Sequence, residues 1–302
     1  MLKYIKGMKE CLAYKKLSEG RVQCRACNHY CVIANNSTGK CGVRKNQNHA
    51  LFSLTYGRPC AIAVDPIEKK PLYHFLPGTK TLSLAALGCN FKCQACQNWQ
   101  ISQLTGDVPL RAFRETSPVS PTEIVETALD HKCPSVSYTY TEPTVFLEYA
   151  LDTMKLAKEH GLKNIWVSNG FFSKETFDSI LPYLQAANID LKSFDDDFYQ
   201  RYCGGRLAPA LDNLKRLKQN KIHLEITTLV IPTLNDSPAL FEKTAAFIVK
   251  ELGPETPWHI SGFSPQISWK LKGLSPTPLS TLKDIQEIGR RGGLKNIHLG
   301  NI

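Results

Sequence analysis

Three cysteines in one short loop constrain this chain more than any other feature. Cys89, Cys93 and Cys96 have C-x3-C-x2-C spacing and follow the apolar run Thr81 to Leu87, which predicts a β-strand. Three thiolates this close together can bind three irons of a cubane iron–sulfur cluster. The fourth iron then lacks a cysteine, and an open coordination position is typical of catalytic metal sites. The alternatives are a zinc knuckle or three buried free thiols, but no second C-x2-C pair follows at zinc-ribbon distance.

A second set of cysteines precedes this loop and has the spacing C-x2-C-x3-C-x9-C. Its members are Cys24, Cys27, Cys31 and Cys41, and Gly39 and Gly42 lie near the last of them. Glycines there permit the tight turns that bring four thiolates to one point. Four ligands would fill a tetrahedral zinc site or complete a second iron–sulfur cluster, and His29 could replace one of them. The spacing favours a metal over free thiols and leaves zinc and iron–sulfur both open.

The composition is that of a globular protein that uses cysteine for metal binding. The chain has 302 residues, 42% of them apolar, enough for one large α/β domain, or for one domain plus a small appendage. It shows neither a signal peptide nor an apolar stretch of about 18 residues, so we expect a cytoplasmic protein with no membrane partner. In that compartment eleven cysteines indicate metal rather than disulfides. Four lie outside both sets and are interpreted as buried free thiols: Cys11, Cys60, Cys133 and Cys203.

The formal net charge of +10 overstates how basic the folded protein would be. Metal-bound thiolates would cancel part of this charge, and the lysines and arginines are dispersed along the chain. What remains could favour an acidic partner such as a small reductase, or RNA. No nucleic-acid-binding motif is present, so we interpret the charge as a solvated basic surface.

From Lys80 onward the apolar pattern alternates between strands and helices. The predicted strands are 80–87, 135–140, 164–168, 187–191, 222–230 and 258–263, and the predicted helices are 121–131, 144–160, 173–184, 208–220, 237–251 and 280–290. Six strands that are each followed by a helix predict a parallel sheet. Before them, we expect a short polar helix over residues 1 to about 20 and a β-hairpin over 51–64.

Polar residues follow several of these strands, at the edge where parallel α/β proteins carry their functional groups. After the second strand comes Tyr138-Thr-Tyr-Thr-Glu-Pro143, where proline leaves backbone carbonyls free to accept from a ligand ammonium. Ser168 and Asn169 end the third strand and suit a ribose or a carboxylate. Asp190 and Lys192 end the fourth strand and would form an ion pair or contact a ligand. Ordinary turns are the alternative for each of these segments.

Four segments together resemble one enzyme family. They are Asp65-Pro-Ile-Glu-Lys-Lys-Pro71, the loop Gly88 to Trp99, Tyr138 to Pro143, and Asn188-Ile-Asp-Leu-Lys192. The chain resembles the radical SAM superfamily, its pyruvate formate-lyase activating enzyme-like branch, and within it the AmmeMemoRadiSam system radical SAM enzymes. This resemblance runs from about Cys24 to Asn301. It implies a partial (β/α)6 barrel over residues 65–302, preceded by a cysteine-rich metal-binding segment with the hairpin over residues 1–64.

The resemblance also implies roles for residues. Cys89, Cys93 and Cys96 would hold a [4Fe–4S] cluster, and S-adenosylmethionine would bind its open iron. Tyr140, Thr141 and Glu142 would match the G-G-E-P element that holds the methionine amino group. Asp190 and Lys192 would lie beside S-adenosylmethionine, and Trp99 or Phe91 would stand in for the aromatic that Ala95 replaces. From their polar character we expect Ser168 and Asn169 to bind this cofactor as well. Residues 65–75 would lie at the mouth of the site, and we expect His259 near that mouth.

The implied activity is reductive cleavage of S-adenosylmethionine to a 5′-deoxyadenosyl radical that abstracts hydrogen from a substrate. The electron would come from an external one-electron reductant of the flavodoxin or ferredoxin type. Three hypotheses are compatible with the sequence. The chain activates a glycyl-radical partner enzyme, it modifies another protein, RNA or a small molecule, or it is a non-catalytic iron–sulfur or zinc protein that transfers electrons or only binds.

Overall fold

Short antiparallel strands make up the amino-terminal part of the chain. A computed structural model describes residues 4–5, 8–104 and 117–302. The first strands are β1 (Tyr4–Ile5), β2 (Met8–Glu10), β3 (Tyr14–Lys16), β4 (Val22–Cys24), β5 (Val32–Ile33), β6 (Arg44–Gln47) and β7 (Ala50–Ser53). They form one sheet with the order β1-β2-β7-β6 and another with the order β3-β4-β5. The helix predicted over residues 1 to about 20 is therefore wrong for the described part, because these backbones pair with strands that come later in the chain.

An eight-stranded sheet forms the centre of the protein, in the order β15-β14-β13-β12-β11-β10-β9-β8. Its strands are β8 (Pro59–Pro66), β9 (Lys80–Ala86), β10 (Ser135–Tyr138), β11 (Lys163–Ser168), β12 (Ala186–Asp190), β13 (His223–Val230), β14 (Trp258–Gly262) and β15 (Ile297–Gly300). Strands β9 to β15 are parallel, and β8 runs antiparallel to β9. The six predicted strands are confirmed, and β15 adds a seventh parallel strand that was not predicted. Among the described residues no pairing joins β8 to β15, so the sheet remains open.

Helices follow the parallel strands in the order that the sequence predicts. They are α1 (Trp99–Ser102), α2 (Pro121–Asp130), α3 (Leu147–Glu159), α4 (Lys174–Ile180), α5 (Asp196–Phe198), α6 (Leu207–Gln219), α7 (Pro238–Phe247) and α8 (Leu279–Arg291). Helix α2 begins with a capping box, in which Ser120 and Glu123 each bond the other's backbone N–H. Among the described residues, no helix combines the length and the apolar character needed to span a bilayer.

The predicted hairpin over residues 51–64 is wrong. Strand β7 pairs with β2 and β6, whereas β8 pairs with β9 in the central sheet. The register places Asp65 opposite Thr81, at the start of β9, so the loop after β8 leaves from the amino-terminal edge of the sheet. The backbone N–H groups of Tyr73 and His74 donate to the Glu225 carboxylate across that edge. This loop therefore covers the amino-terminal edge of the sheet. The expectation that residues 65–75 lie at the mouth of the site is wrong, because the mouth is at the opposite edge.

Buried polar side chains line the inner face of the sheet. Thr81 Oγ1 lies 2.7 Å from Ser137 Oγ, and Thr227 Oγ1 donates to Asn188 Oδ1 over 2.9 Å. These residues are less than a tenth exposed. A core of this kind is expected where a sheet encloses a polar site rather than a packed apolar layer.

Candidate active site

The cysteine loop is fixed at both ends by backbone hydrogen bonds. Gly88 N donates to the Ile101 carbonyl over 2.9 Å, just before the first cysteine. Lys92 N donates to the Cys203 carbonyl over 2.7 Å, and Gln94 N donates to the Tyr202 carbonyl over 2.9 Å. The loop thus lies between the end of β9 and the turn that ends at Cys203. All three of its cysteines are half-buried.

The thiols of the loop have unequal surroundings. A hydrogen bond from the Cys203 thiol lowers the pKa of Cys93. The positive charge of Lys192 also lowers it, and the two effects together outweigh burial, which raises it. Burial raises the pKa of Cys89 and of Cys96, although Cys96 Sγ lies 3.2 Å from Ser102 Oγ. Cys203, which the sequence suggested to be a scattered free thiol, is therefore a neighbour of the site. The sequence contains no signal of this contact, because Cys203 and Cys93 are far apart along the chain.

Glu142 connects the ends of two neighbouring strands. Its carboxylate accepts from Ser168 Oγ at 2.8 and 3.0 Å, from Asn169 N at 2.9 Å and from Thr144 Oγ1 at 2.5 Å. Burial raises the pKa of Glu142, against these hydrogen bonds, which lower it. Because the carboxylate is 1% exposed and fully occupied by protein donors, it positions the backbone around it.

A tight turn surrounds Tyr140, where the resembled element has glycine. Tyr140 has φ of 63°, a left-handed conformation that favours glycine, and Thr141 N donates to the Thr139 carbonyl over 2.8 Å. The Tyr140 carbonyl accepts from Asn98 Nδ2 over 2.8 Å. The backbone thus adopts a glycine-like shape although the glycines are replaced. The Tyr140 hydroxyl donates to Asp65, which ties the turn to β8.

Asn169 links the cysteine loop to the end of β11. Its Nδ2 donates to Asn90 Oδ1 over 2.7 Å, and its Oδ1 accepts from Phe171 N over 3.0 Å. Asn169 and Ser168 therefore already hydrogen bond within the protein. A contact between either side chain and a ligand stays a prediction.

Asp190 and Lys192 form an ion pair, one of the two alternatives that their spacing left open. Lys192 Nζ lies 2.6 Å from Asp190 Oδ2 at the carboxyl end of β12. Burial lowers the pKa of Lys192, but the negative charges of Asp190 and Cys93 outweigh it and hold the pKa well above its usual range. A permanent positive charge therefore faces the cysteine loop.

The two candidate aromatics differ in availability. Phe91 is fully buried between Phe171 and Tyr199, with ring centroids 5.1 and 6.2 Å away. A Cβ on Gly205 would lie 2.2 Å from the Phe91 ring, so this ring is packed without space around it. Trp99 is half-buried at the start of α1. Of the two, only Trp99 has an accessible surface for adenine.

Comparison with known proteins decides the family. The model of the radical SAM superfamily matches residues 85–246, which is more than half of the chain. The chain belongs to the radical SAM superfamily. It is 42% identical over 296 residues to an uncharacterized protein of Methanocaldococcus jannaschii, covering 98% of this chain and 86% of that one.

One further relative and one solved structure are similar to this chain. The pyruvate formate-lyase-activating enzyme of Clostridium pasteurianum is 24% identical over 198 residues, covering 62% of this chain and 79% of that one. A radical SAM methyltransferase structure from Sphaerobacter thermophilus shares the fold with a TM-score of 0.56 at 13% identity, covering 74% of this chain and 67% of that one. Membership of the radical SAM superfamily implies a [4Fe–4S] cluster and S-adenosylmethionine. The three half-buried thiols on one anchored loop fit such a cluster.

His259 lies away from the cysteine loop of this radical SAM protein. It is the second residue of β14, so it is near the amino-terminal edge of the sheet. It is 3% exposed, and its Nε2 lies 2.7 Å from Glu225 Oε2. The expectation that His259 lies near the mouth is wrong, because the strand begins one residue before it.

The amino-terminal cysteines do come together. Cys24, Cys27, Cys31 and Cys41 line one small cavity, with Arg44 and Asn90 among its other residues. His29 Nε2 lies 2.8 Å from the Asn90 carbonyl oxygen, which attaches this cavity to the cysteine loop. Among the described residues, no three His, Cys, Asp or Glu side chains are arranged to hold a single metal ion.

Proposed function

We propose that this chain is a radical SAM enzyme whose cluster ligands are Cys89, Cys93 and Cys96. The observation that carries the proposal is that three half-buried thiols share one anchored loop beside the Lys192 ammonium. When bound, the [4Fe–4S] cluster and S-adenosylmethionine supply reductive cleavage to methionine and a 5′-deoxyadenosyl radical that abstracts hydrogen from the substrate.

The residues around the loop would bind and orient the cofactor. Asn98 fixes the Tyr140 carbonyl beside the loop, and the second lone pair of that oxygen can accept from an ammonium group. Lys192 would attract a carboxylate, and Asp190 keeps its ammonium in place. Trp99 offers a partly exposed ring to a base. These groups are in place before any ligand arrives, so binding costs little reorganisation.

The anchored site also suits the exclusion of water. Glu142 and Asn169 join β10, β11 and the cysteine loop through buried hydrogen bonds. Below them, Thr81 Oγ1 and Ser137 Oγ lie 2.7 Å apart, so these two hydroxyls already have partners. A buried, hydrogen-bonded surround of this kind would help to keep water away from a reactive species.

We propose that the substrate is a partner protein that receives a glycyl radical. The support is the similarity to the pyruvate formate-lyase-activating enzyme of Clostridium pasteurianum over most of that protein's length. An open sheet edge would let a peptide segment reach the interior. A flavodoxin or ferredoxin would deliver the electron to this basic chain.

The chemistry is tested by 5′-deoxyadenosine formation. Anaerobically reconstituted protein is incubated with S-adenosylmethionine and dithionite, and the product is measured by chromatography. We expect product from the wild type and from Cys133→Ala, which removes a buried cysteine elsewhere, but none from Cys93→Ala. Product from Cys93→Ala at the wild-type rate would refute the assignment of the loop.

The substrate is tested separately. A glycyl-radical enzyme encoded in the same genome is added to the turning-over protein, and the glycyl doublet is followed by electron paramagnetic resonance. We expect the doublet to appear in proportion to 5′-deoxyadenosine. If all such candidates fail while 5′-deoxyadenosine still forms, the substrate belongs to another class.

A further inference from the structure

We propose that Cys24, Cys27, Cys31 and Cys41 hold a second [4Fe–4S] cluster, which passes electrons to the cluster of the Cys89 loop. The existence of this second cluster is independent of the proposed function. Only its role as electron donor rests on the proposed function. Three features support this second cluster: the cavity that the four cysteines line, the donors that face the cavity, and the contacts of the cavity with the Cys89 loop.

The backbone holds the four thiols around one cavity. Cys24 ends β4 and its N–H donates to the Cys31 carbonyl over 2.9 Å, so these cysteines face each other across a hairpin. Cys27 lies in the loop between them, and its backbone forms an isolated antiparallel β-bridge with Phe172, which follows β11. Gly42, with φ of 77°, turns the chain directly after Cys41. The chain therefore delivers all four thiols to one place before any metal binds.

Two buried nitrogen donors line the same cavity without a partner among the described residues. These donors are Arg44 Nη1 and Asn90 Nδ2, and neither of them donates a hydrogen bond to any atom of the described residues. Arg44 is 1% exposed and Asn90 is 2% exposed, so water does not satisfy them from the surface. Sulfur atoms of an anionic metal–thiolate centre accept N–H bonds, and these two donors would be satisfied by one.

The position of the site beside the Cys89 loop favours a cluster over zinc. Zinc has no redox chemistry, so a zinc ion there could not exchange an electron with the Cys89-loop cluster. Four cysteines are also the usual ligand set of a closed [4Fe–4S] cluster.

Residues on both sides of Cys89 touch the amino-terminal site. A Cβ on Gly88 would lie 2.8 Å from the Cys41 carbonyl oxygen, so these two backbones are in contact. Asn90 lines the cavity, and its carbonyl oxygen lies 2.8 Å from His29 Nε2. Gly88, which directly precedes Cys89, thus contacts a proposed ligand of the second cluster, and Asn90, which directly follows Cys89, lines the cavity of that cluster. Such contact provides a short path for an electron.

The step is a transfer of one electron with no atom exchanged. A reduced flavodoxin is oxidised by one electron, the second cluster is reduced and then reoxidised, and the Cys89-loop cluster is reduced. Lys40 lines the cavity and is exposed, so it gives the acidic surface of such a carrier a positive contact.

The metal content tests the second cluster directly. Protein is reconstituted anaerobically, and iron, acid-labile sulfide and zinc are measured per chain. We expect about eight irons in the wild type and about four in Cys24→Ser/Cys27→Ser and in Cys89→Ser/Cys93→Ser/Cys96→Ser. Cys11→Ser is the control, because Cys11 is buried close to Cys24 but does not line the cavity, and it should keep about eight.

The triple variant keeps this test valid if the double variant does not fold. Dithionite-reduced triple variant should show the resonance signal of a reduced [4Fe–4S] cluster, and it should do so whether or not the wild type cleaves S-adenosylmethionine. One zinc per chain in place of these irons, or a triple variant without iron, overturns the proposal. Loss of iron from Cys11→Ser overturns the ligand assignment.

The electron path is tested with two reductants. In Cys24→Ser/Cys27→Ser, whose fold is checked by circular dichroism, the rate of 5′-deoxyadenosine formation with flavodoxin should fall relative to the rate with dithionite. Lys40→Glu should lower only the flavodoxin-driven rate, whereas Lys283→Glu, an exposed lysine on α8, should not. An unchanged ratio of the two rates in the double variant overturns the relay.

Discussion

The side-chain amide of Asn98 donates a 2.8 Å hydrogen bond to the backbone carbonyl of Tyr140. Asn98 lies two residues after the last cysteine of the loop, and Tyr140 lies at the centre of the turn after β10. This bond joins the proposed cluster ligands to the backbone proposed to bind the amino group of S-adenosylmethionine. It acts together with the Asn169–Asn90 bond, which also joins the cysteine loop to its surroundings.

Asn98→Ala should weaken the binding of S-adenosylmethionine without reducing the iron content. Loss of one hydrogen bond of about 1 kcal/mol corresponds to roughly fivefold in affinity. The measurement is equilibrium binding of S-adenosylmethionine to the reconstituted protein, together with iron analysis. Gln97→Ala is the matched control, because Gln97 is the exposed neighbour of Asn98 and should leave affinity unchanged. Equal affinities for Asn98→Ala and the wild type would contradict the positioning role.

Glu142→Gln should destabilise the protein, because the glutamine amide turns an acceptor towards Ser168 and Thr144 into a donor. A buried group left without its partner costs about 1–3 kcal/mol. The free energy of unfolding in urea under anaerobic conditions measures this loss. Glu126→Gln on the exposed face of α2 should change that free energy by less than about 0.5 kcal/mol. Similar stabilities of the two variants would show that the Glu142 network is dispensable.

Cys203→Ala should keep the iron of the Cys89-loop cluster and lower its reduction potential. Removing an S–H donor to Cys93 concentrates negative charge on that sulfur, and a bond of about 0.5–1.5 kcal/mol corresponds to roughly 20–60 mV for one electron. A redox titration followed by electron paramagnetic resonance provides the potential. A variant that loses about four irons per chain would instead identify Cys203 as a ligand.

Asp65 should stabilise the protein at neutral pH and lose this effect in acid. Burial raises the pKa of Asp65, but hydrogen bonds from Lys69, Lys70, Tyr140 and Ser83 outweigh it and hold the pKa well below its usual range. A depressed pKa means that the stabilisation is complete above the unfolded pKa of about 3.9 and is lost as pH falls through the folded value. Acid unfolding of the wild type should reflect this loss.

Asp65→Asn isolates that contribution. It leaves the Lys70 ammonium, 1% exposed, without its carboxylate, and removing one partner of a buried pair costs about 3–5 kcal/mol. The unfolding free energies of variant and wild type at pH 7 should differ by that amount and should approach each other below about pH 4. Asp178→Asn removes an exposed ion pair with Lys174 and should cost less than about 0.5 kcal/mol. A difference that is constant with pH would contradict the depressed pKa.

Much of the fold could be predicted because its signals are local. The apolar runs and the Ser120–Glu123 capping box each lie within one element, and both are confirmed. Strand β8 was misplaced because its partner, β9, could not be identified from the alternation of residues alone. Strand β15 was missed since it is four residues long and only half-buried, which leaves little apolar pattern.

The sequence by itself determined the spacing of the two cysteine sets, the order of strands and helices, and the family, because these depend on residues close together in the chain. Only the tertiary structure decided that Cys203 lies against Cys93, that Glu142 accepts from Ser168 and that Asn90 faces the amino-terminal cysteines. Such contacts depend on the register of the parallel strands and on how the amino-terminal sheets pack against them. A shift of one residue along a strand would point each side chain to the other face, and no local pattern fixes that register.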